Sequence, residues 1–184
     1  FFKPEAWRPV PSGDGQRLNL AVQMNGVGFQ SYSINFMEPW LGGKRPNSLG
    51  VSGSYMVFQD RSTANFSRNN ILQTSIDYGR RLKFPDDFFT SRTSIGYKNY
   101  NITNPEFRFV GFEGEPNAFV NIISLSQTFA RSSVDAPIYP RSGSTMSLSV
   151  EATPPYSLFG EQRDYSDMSD ADKYRWLEFH KWRF

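Results

Sequence analysis

Arg17-Leu18-Asn19-Leu20-Ala21-Val22-Gln23-Met24-Asn25 alternates residue by residue, with Leu18, Leu20, Val22 and Met24 on one side of an extended chain and Arg17, Asn19 and Gln23 on the other. Period two of this kind marks a strand with one apolar and one polar face. Six more segments repeat it. Tyr32, Ile34 and Phe36 oppose Ser31, Ser33 and Asn35, and Leu49, Val51, Tyr55 and Val57 oppose Ser48, Gly50, Ser52 and Ser54. Leu72, Ile76 and Tyr78 alternate with Gln73, Ser75 and Asp77; Phe89, Ile95 and Tyr97 alternate with Arg92, Ser94 and Lys98. Phe119, Ile123, Leu125 and Phe129 oppose Ser124, Ser126 and Thr128, although Val120 and Ile122 break that pattern, and Met146, Leu148, Val150 and Ala152 oppose Thr145, Ser147, Ser149 and Glu151. In a last segment, Tyr174 to Phe184, the apolar side also holds Glu178 and His180, which leaves its facing open.

Each segment has about the 9–11 residues a tilted strand needs to cross a bilayer, whereas soluble strands usually have about 5–6. Composition agrees. The mean hydropathy of -0.54 is too polar for spanning helices, yet 16% of the 184 residues are aromatic. Barrels combine the two because aromatics gather at both membrane interfaces while the interior stays polar. The expected lipid-facing set is Leu18, Leu20, Val22, Tyr32, Ile34, Phe36, Val51, Tyr55, Ile76, Ile123, Leu125, Leu148 and Val150. A one-residue slip would turn Asp77, Arg92 or Lys98 into lipid, at roughly 2–4 kcal/mol for a basic side chain near the midplane. The net charge of +2 is interspersed and not gathered into a basic stripe, so no nucleic-acid partner is expected.

The connections come in two alternating kinds. Compact ones mix Pro or Gly with an aromatic: 7–15, Glu38-Pro39-Trp40-Leu41-Gly42-Gly43, 82–88 and Ile138-Tyr139-Pro140-Arg141-Ser142-Gly143. Between them lie longer polar stretches, 59–70, 101–117 and 157–173, with Asn25-Gly26 as a short exception. Short turns of outer-membrane barrels face the periplasm and long loops face outside, which sets the expected orientation.

Three stretches resemble the BamA family of outer-membrane-protein assembly barrels, the bacterial surface antigen barrels. They are Gln30 through Lys44, with Glu38-Pro39-Trp40 and Gly42-Gly43; Tyr78 through Asp87; and Ser133 through Ser144, where Asp135 is followed by Tyr139-Pro140 and Gly143. In the family such an Asp, aromatic-Pro and Gly-Ser mark the periplasmic turn before a new strand. The resemblance implies an all-β fold in which residues 1–184 are one partial barrel domain, about eight meander strands of a sixteen-stranded antiparallel transmembrane barrel, without periplasmic repeats, first strand or last strand. It also implies a place in the outer-membrane machinery that folds and inserts β-barrel proteins, with nascent outer-membrane proteins, other assembly subunits, outer-membrane lipid and lipopolysaccharide as partners. No cofactor, metal or enzymatic chemistry is implied. A passive pore or small anchoring barrel of these strands alone is the alternative, and a soluble carbohydrate-binding sandwich a third.

Other constellations have ordinary readings. His180 is the only histidine and no cysteine exists to make a zinc site. Asp164, Asp167, Asp170 and Asp172 share a polar loop but lack the Gly and terminal Glu of a calcium loop, and Ser169 with Asp172 offers a helix cap as a lesser alternative. Ser133, His180 and Asp135 have no nucleophile-elbow motif around them, and Gly26-Val27-Gly28 lacks the strand-helix context of a phosphate cradle. Arg92 and Lys98 are expected to pair with Asp77 or Glu151 in an inward polar network.

Overall fold

Strands that alternate and are joined by turns in sequence satisfy their backbone groups most simply as a meander, each pairing with the one before it. The computed structural model describes residues 15–43, 47–60, 67–103, 117–135, 138–139, 141–155, 175–176 and 178–184. In it the strands are β1 Arg17–Asn25, β2 Phe29–Glu38, β3 Asn47–Asp60, β4 Ser67–Arg81, β5 Phe89–Thr103, β6 Asn117–Ser132, β7 Thr145–Ala152 and β8 His180–Arg183. They form a single eight-stranded sheet in sequence order, antiparallel throughout. One sheet, not two packed ones, sets aside the sandwich. A closed barrel of these strands alone would need β1 to pair with β8, and no such pairing exists among the described residues.

The middle strands are longer than the alternation suggested, at 14, 15, 15 and 16 residues for β3 to β6. The excess lies at the long-loop end, where the ladder continues through Asn70↔Asn101 and Asn69↔Ile102. Backbone pairing therefore outlasts the apolar pattern. The last segment goes the other way: only four residues of the expected Tyr174–Phe184 strand pair with β7, from Ala152↔His180 to Ser149↔Arg183. Its facing is settled by that register, which puts His180 and Trp182 on the side of Ala152 and Val150. β6 outreaches β7, and beyond the end of β7 its Asn121 N–H donates to Arg175 O at 2.8 Å, beside a parallel bridge to Trp176.

Directly paired residues of an antiparallel sheet point the same way. Following the pairs, all thirteen residues of the expected lipid-facing set fall on one face; Leu18↔Phe36, Phe36↔Val51, Val51↔Ile76, Ile76↔Ile95 and Ile95↔Leu125 make one row of it. On an ordinary soluble fold this face would be the core, but Leu20, Val22, Ile34, Ile76, Ile95 and Leu125 are all more than half exposed.

The apolar stripe is not parallel to these rows. On β1 it runs from Leu18 to Met24 and on β7 from Met146 to Ala152. The row through Ala21 passes Ser33, Ser54, Gln73, Lys98 and Ile122 and would reach β7 beyond its end. The stripe thus shifts by about six residues over six strand-to-strand steps, and at about 3.3 Å per residue and 4.8 Å between strands this is a slant of about 35°. Barrel strands tilt by about 35–45° to the membrane normal. A horizontal apolar belt drawn on tilted strands produces this slant.

The interruption at Val120 and Ile122 has a local cause. On the polar face, at the long-loop end, Ile102, Ala118 and Val120 are buried to 3%, 0% and 4% exposure, with Tyr100 and Ile122 packed against them. Phe29 and Phe58 stack nearby in the same row, ring centres 5.0 Å apart. The polar face becomes apolar there, so the two residues continue its pattern and do not break it.

Candidate functional site: rim turns and polar wall

Each described compact turn is organised by a carboxylate. Glu38 ends β2 and is 6% exposed; its Oε1 accepts from Trp40 N at 3.1 Å and its Oε2 from Gln16 Nε2. Gly42 and Gly43 adopt φ of 84° and 73°, which a side chain would strain, while Gly43 N donates to Trp40 O at 2.9 Å and Leu41 N to Asn47 O at 2.8 Å. In the next turn Asp86 Oδ1 accepts from Phe88 N at 2.9 Å. In the third, Asp135 Oδ1 accepts from Arg141 N at 3.0 Å and Ser142 N at 3.3 Å, and Asp135 N returns a bond to Ser142 O. Gly143 has φ 101°, and a Cβ there would lie 2.3 Å from Ser133 O. Pro140 lies outside the described residues, whereas Pro39, Trp40 and Tyr139 are within them. Trp40, Phe84, Phe88, Ile138 and Tyr139 are exposed at this rim, as an interfacial girdle would be.

Sequence reading missed the residue that joins two of these turns. Arg131, near the end of β6, donates from Nε to Asp86 Oδ2 at 2.8 Å and from Nη1 to Ser133 Oγ at 3.0 Å and Ser144 Oγ at 2.9 Å. Its guanidinium also lies over the Phe88 and Phe89 rings, at 5.6 and 5.9 Å. The Arg131 bond, with the Phe88 amide, holds the Asp86 carboxyl below the ordinary carboxylate range, and the Ser142 and Arg141 amides do the same for Asp135. No local signal marks Arg131, because Asp86 is forty-five positions away in sequence.

The polar face is a wall of small hydroxyl residues and glycine. Arg92 and Asp77 pair at 3.2 Å, with side-chain exposures of 62% and 19%; Asp77 also accepts from Ser75 Oγ at 3.2 Å and from Ser94 Oγ. The inward network is thus present for Arg92, while Lys98 and Glu151 have no ion-pair partner among the described residues. Gly50, opposite Asp77, leaves room over the floor, and at Gly79 the place of a Cβ is taken by the Ser48 hydroxyl, 2.5 Å from it. The result is a recess of about 450 Å³ lined by Asn35, Ser52, Asp77, Gly79 and Arg92 among others. No cluster of three or more His, Asp or Glu that would hold a metal occurs among the described residues. Ser133 and Asp135 sit in a rim turn, and His180 pairs with Ala152 at the other end of β7, about 25 Å away at strand spacing. The acidic loop with Asp164, Asp167, Ser169, Asp170 and Asp172 lies outside the described residues.

A tilted meander with one slanted apolar belt, one hydrophilic wall and carboxylate-closed turns at one rim defines part of a transmembrane β-barrel. The Omp85 superfamily domain model matches residues 12–175, and the chain belongs to that superfamily. No curated protein matches it. Among solved structures, BamA from Haemophilus ducreyi lacking POTRA domains 1–3 superposes with a TM-score of 0.56 at 16% identity, over 77% of this chain and 29% of that one. At that identity the likeness is one of fold, and this chain spans less than a third of the neighbour.

Proposed function

We propose that this chain is barrel wall of a bacterial outer-membrane protein that folds and inserts other β-barrel proteins. Superfamily membership over residues 12–175 is the observation that carries the reading. The stripe from Leu18 to Val150 faces lipid, the Asp77 and Arg92 side faces the lumen, and the rim of Glu38, Asp86 and Asp135 lies towards the periplasm. Nascent outer-membrane proteins, other subunits of an assembly complex, outer-membrane lipid and lipopolysaccharide are the partners. No cofactor and no covalent step enter. A client strand adds to an unpaired strand edge of the whole barrel by backbone hydrogen bonding, and the client's own pairing and apolar burial drive it forward.

These strands act as the frame against which such an edge opens. β2 to β6 are paired on both sides, and Arg131 braces two turns at the rim. A photo-cross-linker at Tyr55, Ile95 or Leu125 of the complete protein should capture a stalled client weakly, and one at the barrel seam strongly. Capture mainly at these three positions would sink the division of labour.

A further inference from the structure

The two edges of the slanted stripe carry different chemistry. Taking the stripe's centre on each strand, Gln30, Asn70, Asn99 and Asn121 stand on the apolar face about 11 to 16 Å towards the long-loop end, around the edge of a belt about 25 Å tall, with the buried Val57 between Gln30 and Asn70. Asn70↔Asn101 continues the row upward. At about the same distance on the other side come Glu38, Arg80, Arg131 and Phe89. The long-loop edge is rich in side-chain amides, with Arg68 and Tyr97 among them, whereas the other edge carries carboxylate, guanidinium and aromatic groups.

The amides are held in place. Asn121 Oδ1 accepts from Asn99 Nδ2 at 2.8 Å and from Tyr97 OH at 2.9 Å, and Arg68 Nε donates to Asn70 Oδ1 at 3.0 Å, which fixes a guanidinium above the row. Gln30 and Asn101 have no side-chain partner among the described residues. Phosphatidylethanolamine presents charged groups at this depth, a phosphate and an ammonium, which suit the charged Glu38 and Arg80 of the opposite edge. A side-chain amide both donates and accepts, and its complement is a headgroup that does the same, with hydroxyls and N-acyl amides.

Resting on the outer-membrane reading above, we propose that the amide row on β2 and β4–β6 is a binding site for the phosphorylated, N-acylated sugar headgroup of the outer-leaflet glycolipid, with Arg68 meeting a phosphate. The site lies on the lipid side of the wall, away from the lumen.

The test uses the complete protein in phosphatidylethanolamine vesicles with and without deep-rough lipopolysaccharide, and measures lipopolysaccharide retained per barrel after detergent extraction. Asn99→Leu with Asn101→Leu should lower retention about tenfold, the loss of one to two hydrogen bonds of ordinary net strength. The opposite-edge variant Phe89→Leu should leave it unchanged. Asn101→Asp, nearly isosteric, should also lose retention and regain it with added magnesium, so a folding defect in the double variant does not decide the matter. Equal retention in all variants, or an equal loss of phosphatidylethanolamine, would overturn the proposal alone. Failure of the wild-type protein to insert into either vesicle would overturn the barrel reading and this site with it.

Discussion

An arginine scan across the stripe separates a slanted belt from one parallel to the strand pairing. Val22 on β1 and Leu148 on β7 lie far apart in register, yet each is about one residue, roughly 3 Å, from the slanted centre. Leu18 and Ile123 lie near the middle of the sheet by register, but about 8 and 11 Å from that centre. Arginine on the lipid face costs about 2–4 kcal/mol at the midplane and about 0–1 near the interfaces. Val22→Arg and Leu148→Arg should therefore each destabilise the complete barrel by about 2–4 kcal/mol, and Ile123→Arg by about 1 kcal/mol. Leu18→Arg should fall between them. Urea titration of the protein refolded in phospholipid vesicles, followed by tryptophan fluorescence, reads the difference. Should Leu18→Arg and Ile123→Arg cost more than Val22→Arg and Leu148→Arg, the slant and the 35° tilt drawn from it are wrong.

Three further outcomes are expected. Gly143→Ala puts a Cβ 2.3 Å from Ser133 O at φ 101°, so it should lower stability by about 1–3 kcal/mol, visible in the urea midpoint. Asp77→Asn removes the partner of a largely exposed Arg92; such pairs contribute about 0–1 kcal/mol, and a loss above about 2 kcal/mol would mean that the recess is packed by something further. The carboxyls of Asp86 and Asp135 are held below their ordinary range, so what they add is present above that range and is lost as pH falls through the lowered values. Asp86→Asn and Asp135→Asn should flatten the acid limb of the stability curve, read by circular dichroism against pH; an unchanged limb would contradict the rim bonding.

Much of this was legible in the chain itself. Alternation from Leu18 to Ala152, interrupted at Val120 and Ile122, gave seven strands and their two faces, because side-chain direction in a strand depends on position parity alone. The compact turns were readable from Glu38-Pro39-Trp40 and from Asp135 with Gly143, since proline, glycine and carboxylate act on the backbone within a few residues. Strand ends were harder: β3 to β6 run on through Asn69, Asn70, Asn101 and Ile102, where ladder bonds continue and the apolar pattern does not.

The tertiary structure alone decided relations between strands. The slant is the accumulated register of successive pairings, and no property of one segment contains it. Val120 and Ile122 read as faults until Ile102 and Ala118 were beside them. Arg131 became a brace only when pairing brought Asp86 and Ser144 within reach. Sequence fixes which way a side chain points because that rule is local; its depth in the membrane and its partners depend on register, which is set by contacts between distant segments.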